Sequence, residues 1–259
     1  QRFEAVICGG LFLTTPIERF PALKCIQVTS AGLDRVPLDY CKAHGITVYN
    51  AGGVYSAPMA EFVLGGILQL YKESKFFAEN QAAHRWEKHR GLRELSGKTA
   101  CITGSVGSAI ARRLRAFDVQ TVGINRSGHP AAEFDQTQPT CRLDDLLPLA
   151  DLVSCAMPLT AETAGLFDSV RLAKIKPGAV FVNVARGKVT DQQALVEALQ
   201  SGQLSGAVLD VFEEEPLPRS SPLWDMEQVI LTPHNSFVGE HNGERLFRLF
   251  CKNLESFAQ

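Results

Sequence analysis

Short runs of β-branched residues alternate with amphipathic stretches along almost the whole chain. A parallel sheet with crossover helices satisfies that rhythm, and few other folds do. Three strand candidates, "EAVICG", "KCIQVTS" and "ITVYN", fall within the first fifty residues, and six more follow: "KTACIT", "VQTVGIN", "DLVSCAM", "AVFVNVA", "SGAVLDVF" and "QVILTP". Between them, Ser105–Phe117, Asp191–Leu199 and Glu240–Phe257 carry apolar residues at three- and four-residue spacing and read as helices. Six strands are enough for a complete doubly wound α/β sheet, expected over residues 53–235. The first three strands and the last helix, residues 1–52 and 236–259, make a second, smaller domain entered and left through "YNAGG" and "PHNSFVG". The polar, twice-proline segment "HPAAEFDQTQPT" reads as a surface loop.

The charge balance narrows the partners. With 26 Lys and Arg against 28 Asp and Glu, the chain offers no field that would draw nucleic acid or an anionic membrane. A small molecule or another subunit is the expected partner. The apolar stretch "FVLGGILQLY" is too short to span a bilayer, and "QRFEAVICGG" lacks the basic-then-apolar layout of a signal peptide, so a cytoplasmic protein is expected. Seven cysteines without C-x-x-C spacing, mostly inside apolar runs, read as reduced core thiols, and no metal site is expected.

One segment, "CITGSVGSAIARRLRAF", carries a strand into a glycine turn and then a helix. In a dinucleotide fold such a turn sets bare N–H groups and a helix N-terminus against a pyrophosphate, with glycines allowing close approach. Here Gly104 and Gly107 flank only Ser105 and Val106, so the usual G-x-G-x-x-G is short by two residues. A shortened turn alone is weak evidence, since a glycine at a strand end is more often only a turn.

Further along, "VNVARGKVTDQQALVEAL", "GAVLDVFEEEPLP" and "LTPHNSFVG" follow in that order, after "SAGLDRVPLD", "VYNAGGVYSAPMAEFVL", "LSGKT" and "MPLTAETAGLF". Together these segments resemble the D-isomer-specific 2-hydroxyacid dehydrogenase family over nearly the whole chain. The resemblance implies a Rossmann-type coenzyme domain and a flavodoxin-like substrate domain that begins here in its second half. It also implies hydride transfer between NAD(P)H and a small 2-keto acid, giving the D-2-hydroxy acid. Arg186 matches the substrate arginine, whose planar fork suits a carboxylate. His234 matches the acid/base histidine and Glu215 its carboxylate partner, which would favour the imidazolium form that donates a proton. Asp210 matches the acid that orients the nicotinamide carboxamide, and Ala31 and Gly32 the loop over the substrate carboxylate. Gly104, Ser105, Val106, Gly107, Pro158 and Ala185 match positions against the cofactor.

Where an acid would bind the ribose hydroxyls and repel a 2′-phosphate, the sequence has "GINRSG". Asn125 replaces the acid, and Arg126 with Ser127 offers a cation and a hydroxyl, so NADP is expected over NAD. Each residue taken singly has a plainer reading, such as a solvated arginine, a capping aspartate or an acidic turn at Glu213, Glu214 and Glu215; their joint order is what carries the functional one. A homodimer is expected through the long apolar helix "SAPMAEFVLGGILQLYKESKFFAE", against the plainer reading of a helix buried within its own chain. The shortened turn keeps an alternative open: a non-catalytic module that senses a nucleotide or metabolite on the same fold.

Overall fold

The computed structural model describes residues 3–258. The chain divides into two compact units, one of residues up to Ala57 together with those from Val238, the other Pro58–Phe237.

In the first unit, β1 (Ala5–Cys8), β2 (Cys25–Val28) and β3 (Thr47–Tyr49) form a parallel sheet in the order β1-β2-β3. α1 (Leu38–Ala43) and the long helix that ends the chain belong to the same unit. β2 is buried at every residue, and its polar Gln27 is fully used. Its amide donates to the Asn50 carbonyl at 3.1 Å and its oxygen accepts from Asn253 at 2.8 Å, so a buried polar group costs little here.

The second unit opens with α2 (Ser56–Tyr71), whose first two residues lie on the other side of the boundary, and α3 (Ser74–Ala82). β4 (Thr99–Gly104), α4 (Gly107–Arg115), β5 (Gln120–Asn125), β6 (Gln136–Pro139), α5 (Leu143–Leu146) and β7 (Leu152–Ala156) follow. After them come α6 (Ser169–Lys174), β8 (Ala179–Asn183), α7 (Gln192–Gln200), β9 (Leu204–Leu209) and β10 (Val229–Leu231). The terminal helix of the first unit is α8 (Asn242–Ala258).

All seven strands of this sheet are parallel, in the order β10-β9-β8-β7-β4-β5-β6. The chain builds outward from β4 to β6, then returns to the other side of β4 with β7. That reversal is the switch point where doubly wound sheets place ligands, outside the carboxyl ends of the strands. β7 and β8 are buried at every residue, as strands covered on both faces must be. Alternate residues serve opposite layers. Phe181 packs with Phe167, Leu172, Leu195 and Leu199, while Val180 and Val182 pack with Val63, Ile67, Ile110 and Leu114. No helix of the described residues is long and apolar enough to cross a membrane.

Two expectations are corrected. The segment expected to be a surface loop, residues 129–140, contains β6, a seventh strand paired with β5 from Val122↔Gln136 to Asn125↔Pro139. An edge strand of Gln, Thr and Pro needs no apolar alternation, so its sequence carries no strand signal. Just before it, the Phe134 ring packs over Gly123, where an added Cβ would stand 2.9 Å from the ring. The helix expected over 56–79 is two helices, broken where Glu73 adopts a left-handed φ of 50°.

Candidate active site

The strand register sets three candidate residues on one edge. Asn183 of β8 is level with Leu209 of β9, which is level with Leu231 of β10. The chain therefore leaves three neighbouring strands side by side, leading to Arg186, to Asp210 and Glu215, and to His234.

After β8, the buried Asn183 side chain organises the turn. It accepts from the Ala185 N–H at 3.0 Å and donates to the Arg186 carbonyl and Thr190 Oγ1, each at 3.2 Å. Arg186 is extended at φ −146° and half-buried, with Nη1 donating to the Ala185 carbonyl at 2.8 Å. Gly187 then touches the neighbouring loop: a Cβ there would lie 1.9 Å from the Phe212 carbonyl carbon and oxygen. Only glycine lets the Arg186 turn come so close to the loop that carries Glu215.

That loop fixes its own acid. Glu215 Oε1 accepts the Phe212 N–H at 3.1 Å, and Oε2 lies 2.8 Å from His234 Nδ1. Glu213 instead accepts the Gln192 N–H at 2.9 Å, so the three adjacent glutamates do different things. The Glu215 and His234 side chains are 37% and 35% exposed, open enough to meet a ligand. With Nδ1 bound to a carboxylate, Nε2 of His234 is the ring nitrogen left for exchange.

Asp210 is completely buried. Its Oδ1 accepts from Thr232 Oγ1 at 2.6 Å and the Asn235 N–H at 2.7 Å, its Oδ2 accepts the Ser236 N–H at 2.9 Å, and its carbonyl accepts the His234 N–H at 2.8 Å.

The other candidates of this unit lie on the same edge, at the switch point between β7 and β4 and beyond it. Gly104 ends β4 at φ 94°, where a Cβ would stand 2.0 Å from the Ala156 carbonyl oxygen, so the turn is pressed against the end of β7. Ser105 and Val106 lead straight into α4, which starts at Gly107 with Val106 as its N-cap and no side chain capping it. An uncapped helix N-terminus keeps its N–H donors and positive dipole end for an anion. After β5, the Asn125 amide is committed to its own turn: the oxygen accepts from Ser127 N–H at 3.2 Å and His129 N–H at 3.0 Å, and the nitrogen donates to the His129 carbonyl at 2.7 Å. Arg126 is largely solvent-exposed and meets Glu162 at 3.1 Å. Pro158 lies in the loop after β7, its carbonyl accepting from Thr163 Oγ1 at 2.7 Å.

In the first unit, Ala31 and Gly32 follow β2 and are held by their carbonyls. Asn50 donates to Ala31 at 2.9 Å and Ser30 Oγ to Gly32 at 2.7 Å. Their own N–H groups donate to no acceptor among the described residues. Tyr55 donates its hydroxyl to the Thr29 carbonyl beside them.

Among the described residues no group of three or more His, Cys, Asp or Glu side chains could hold a metal. All seven cysteines are free, and burial pushes the Cys101 and Cys155 thiols up to about 12, which makes them inert core groups. Asn183, Gly187, Thr232 and Glu162 went unread in the sequence. Only Gly187 left a signal there, as the glycine directly after the candidate arginine.

A parallel doubly wound sheet with an uncapped helix behind a glycine turn, and a His–carboxylate pair beside an arginine on the same edge, defines a dinucleotide-dependent oxidoreductase. The groups present fit that cofactor: α4 offers donors for phosphates and Arg126 a cation at the end of β5. The chain belongs to the D-isomer specific 2-hydroxyacid dehydrogenases, whose NAD binding domain model matches residues 64–236. It is 37% identical over 248 residues to a glyoxylate reductase of Thermofilum pendens, covering 92% of this chain and 73% of that one. It is also 37% identical to the D-3-phosphoglycerate dehydrogenase of Mycobacterium tuberculosis, covering 83% of this chain but only 41% of the relative. A D-isomer specific 2-hydroxyacid dehydrogenase family protein from Aeromonas salmonicida superposes with a TM-score of 0.86 at 34% identity, over 98% of this chain and 82% of the other. A relative from Xanthobacter autotrophicus, solved with NADPH, matches at TM-score 0.77 and 31% identity over 91% and 75%. The D-lactate dehydrogenase of Aquifex aeolicus, solved with NAD and lactic acid, matches at 0.83 and 28% over 98% and 83%. The family uses a nicotinamide cofactor and the named relatives are reductases and dehydrogenases, so the non-catalytic alternative is left without support.

Proposed function

We propose that this chain reduces a small 2-keto acid to its D-2-hydroxy acid, with Arg186, His234 and Glu215 as the working side chains and NADPH as the preferred reductant. The observation that carries the reading is the 2.8 Å His234–Glu215 pair, whose members follow β10 and β9, on the same edge as Arg186 after the adjoining β8. Arg186 binds the substrate carboxylate, where a guanidinium fork makes two parallel hydrogen bonds. Glu215 holds Nδ1 and stabilises the imidazolium, so Nε2 gives its proton to the carbonyl oxygen. A nicotinamide cofactor, when bound, would supply the hydride that the carbonyl carbon accepts. His234 ends neutral and regains its proton from solvent. Within the first unit, the Ala31 and Gly32 N–H groups are donors suited to an anion.

Gly104 to Gly107 and the α4 N-terminus would hold the pyrophosphate, and Pro158, Ala185 and Asp210 would border the cofactor. The preference for NADPH rests on Arg126 and Ser127. Asn125 supports it indirectly: its amide shapes the turn that presents them, and it brings no negative charge. Glyoxylate and lactate-sized acids fit the chemistry of the relatives. A homodimer is supported by the apolar character of α2, where Met59, Phe62, Leu64 and Leu68 pack on the core yet stay half-buried.

The test is oxidation of NADPH and NADH, followed by absorbance against a panel of small 2-keto acids. Arg186→Ala should mainly raise KM for the keto acid, His234→Ala should mainly lower kcat, and Arg126→Ala should remove the advantage of NADPH. Unchanged kinetics in the first two variants would overturn the assignment of roles. A wild-type preference for NADH would overturn the cofactor assignment alone.

A further inference from the structure

His234 stands at φ 52°, a left-handed conformation uncommon for any residue but glycine, and one that its neighbours must hold if the ring is to keep one direction. The residue before it, Pro233, has no N–H to help, so the restraint has to come from elsewhere. It converges on one buried carboxylate. Thr232, two residues before the histidine, and Asn235 and Ser236, just after it, all donate to Asp210, at 2.6, 2.7 and 2.9 Å. The His234 N–H donates to the Asp210 carbonyl at 2.8 Å. An ionised carboxylate has about four acceptor sites, and three of them here serve this one loop.

We infer that Asp210 and Thr232 are positioning residues that set the direction of the His234 ring, Asp210 by gathering the loop and Thr232 by closing its leading side. Glu215 then holds the Nδ1 side of the ring, opposite the nitrogen that faces the substrate. This rests on the reading of His234 as the acid/base group, and it gives Asp210 work that needs no contact with the cofactor. Thr232 separates the two roles, because it is tied to Asp210 while its own side chain is assigned no cofactor contact.

The experiment compares Thr232→Val, Thr232→Ser and Asp210→Asn in the full chain. Val keeps the shape but loses the hydroxyl, and Ser restores it. An Asn at 210 would set an amide donor where both oxygens now accept, conflicting with a loop N–H or the Thr232 hydroxyl. Thr232→Val should lower kcat by about tenfold, with KM for keto acid and the dissociation constant for NADPH changed less than about twofold, and Thr232→Ser should recover most of the loss. Asp210→Asn should lose about 100-fold or more in kcat. Hydrogen exchange at the Asn235 and Ser236 amides, read without turnover, should quicken in both Thr232→Val and Asp210→Asn. Wild-type kcat in Thr232→Val, or weakened NADPH binding with kcat unchanged, would overturn the inference. An undiminished kcat in His234→Ala would instead show that the acid/base reading itself is wrong.

Discussion

Gly187→Ala is the sharpest perturbation this structure offers, because a single methyl meets backbone rather than a side chain that could swing away. The added Cβ would stand 1.9 Å from Phe212 and 2.4 Å from the Glu213 nitrogen, where real contacts keep at least 3.0 Å. The two loops must part by about 1 Å, and with them Arg186 and Glu215. Overpacking of this kind costs about 1–3 kcal/mol of stability. A misplacement of ~1 Å in a reacting constellation costs about 100-fold in rate, equivalent to about 2.7 kcal/mol of transition-state binding. The assay is kcat/KM alongside thermal melting, with Gly202→Ala as control. Gly202 sits at φ 76° with nothing within 4 Å of its added Cβ, so its variant should lose about 1–2 kcal/mol from backbone strain and keep its turnover. If Gly187→Ala keeps kcat/KM within about threefold of wild type, the close approach has no part in arranging the site and the reasoning is refuted.

Glu215→Gln should lower kcat by about 10- to 100-fold with little change in KM for the keto acid, since the amide can still hold the ring but cannot favour imidazolium; an unchanged kcat counts against the pair. Gly104→Ala places a Cβ 2.0 Å from the Ala156 carbonyl oxygen at φ 94°, so fluorescence titration should show NADPH affinity weakened by about tenfold or more. Intact affinity would remove the turn from the cofactor site. Asp151 gives the acid-side prediction. Burial alone would raise its pKa, but the hydrogen bond from Lys176, the Thr99 N–H and the lysine charges outweigh it and hold the carboxyl below its ordinary 3.8. A folded-state pKa lowered in this way adds stability that is present above 3.8 and lost as pH falls through the lower folded value. Asp151→Asn should therefore destabilise by about 1–2 kcal/mol at neutral pH, and the gap in denaturant midpoint should close in acid. A gap that persists at low pH would assign the loss to shape rather than charge.

The strands that the sequence shows clearly are those buried on both faces. β7 and β8 are nearly continuous apolar runs, interrupted only by Ser154 and closed by Asn183, as strands covered by helices on both faces are. β6 is silent for the opposite reason, since an edge strand lies among polar residues and its pairing comes from β5. The break after α2 is silent too, because Lys72 and Glu73 are ordinary helix residues and only the backbone turns. At the candidate site, motif order picks out Arg186, Glu215 and His234. Which glutamate of three meets the histidine follows from the motif position directly before Pro216, and composition alone would not single it out. Asn125 looks like a ligand-reading residue in the sequence, yet its amide is turned inward to hold His129 and Ser127. The burial of Asp210 is equally unreadable, since an acid after a buried strand has the same letters whether it points out or in.

The strand order also separates two design problems. Arg126 follows β5, while His234 follows β10, five strand spacings away across the sheet. At about 4.8 Å per strand that is roughly 24 Å, well beyond the range over which substitutions interfere. Changes made to retune which cofactor is accepted should therefore multiply with changes made near the histidine, each set optimised in its own library and then combined without rescreening every pairing.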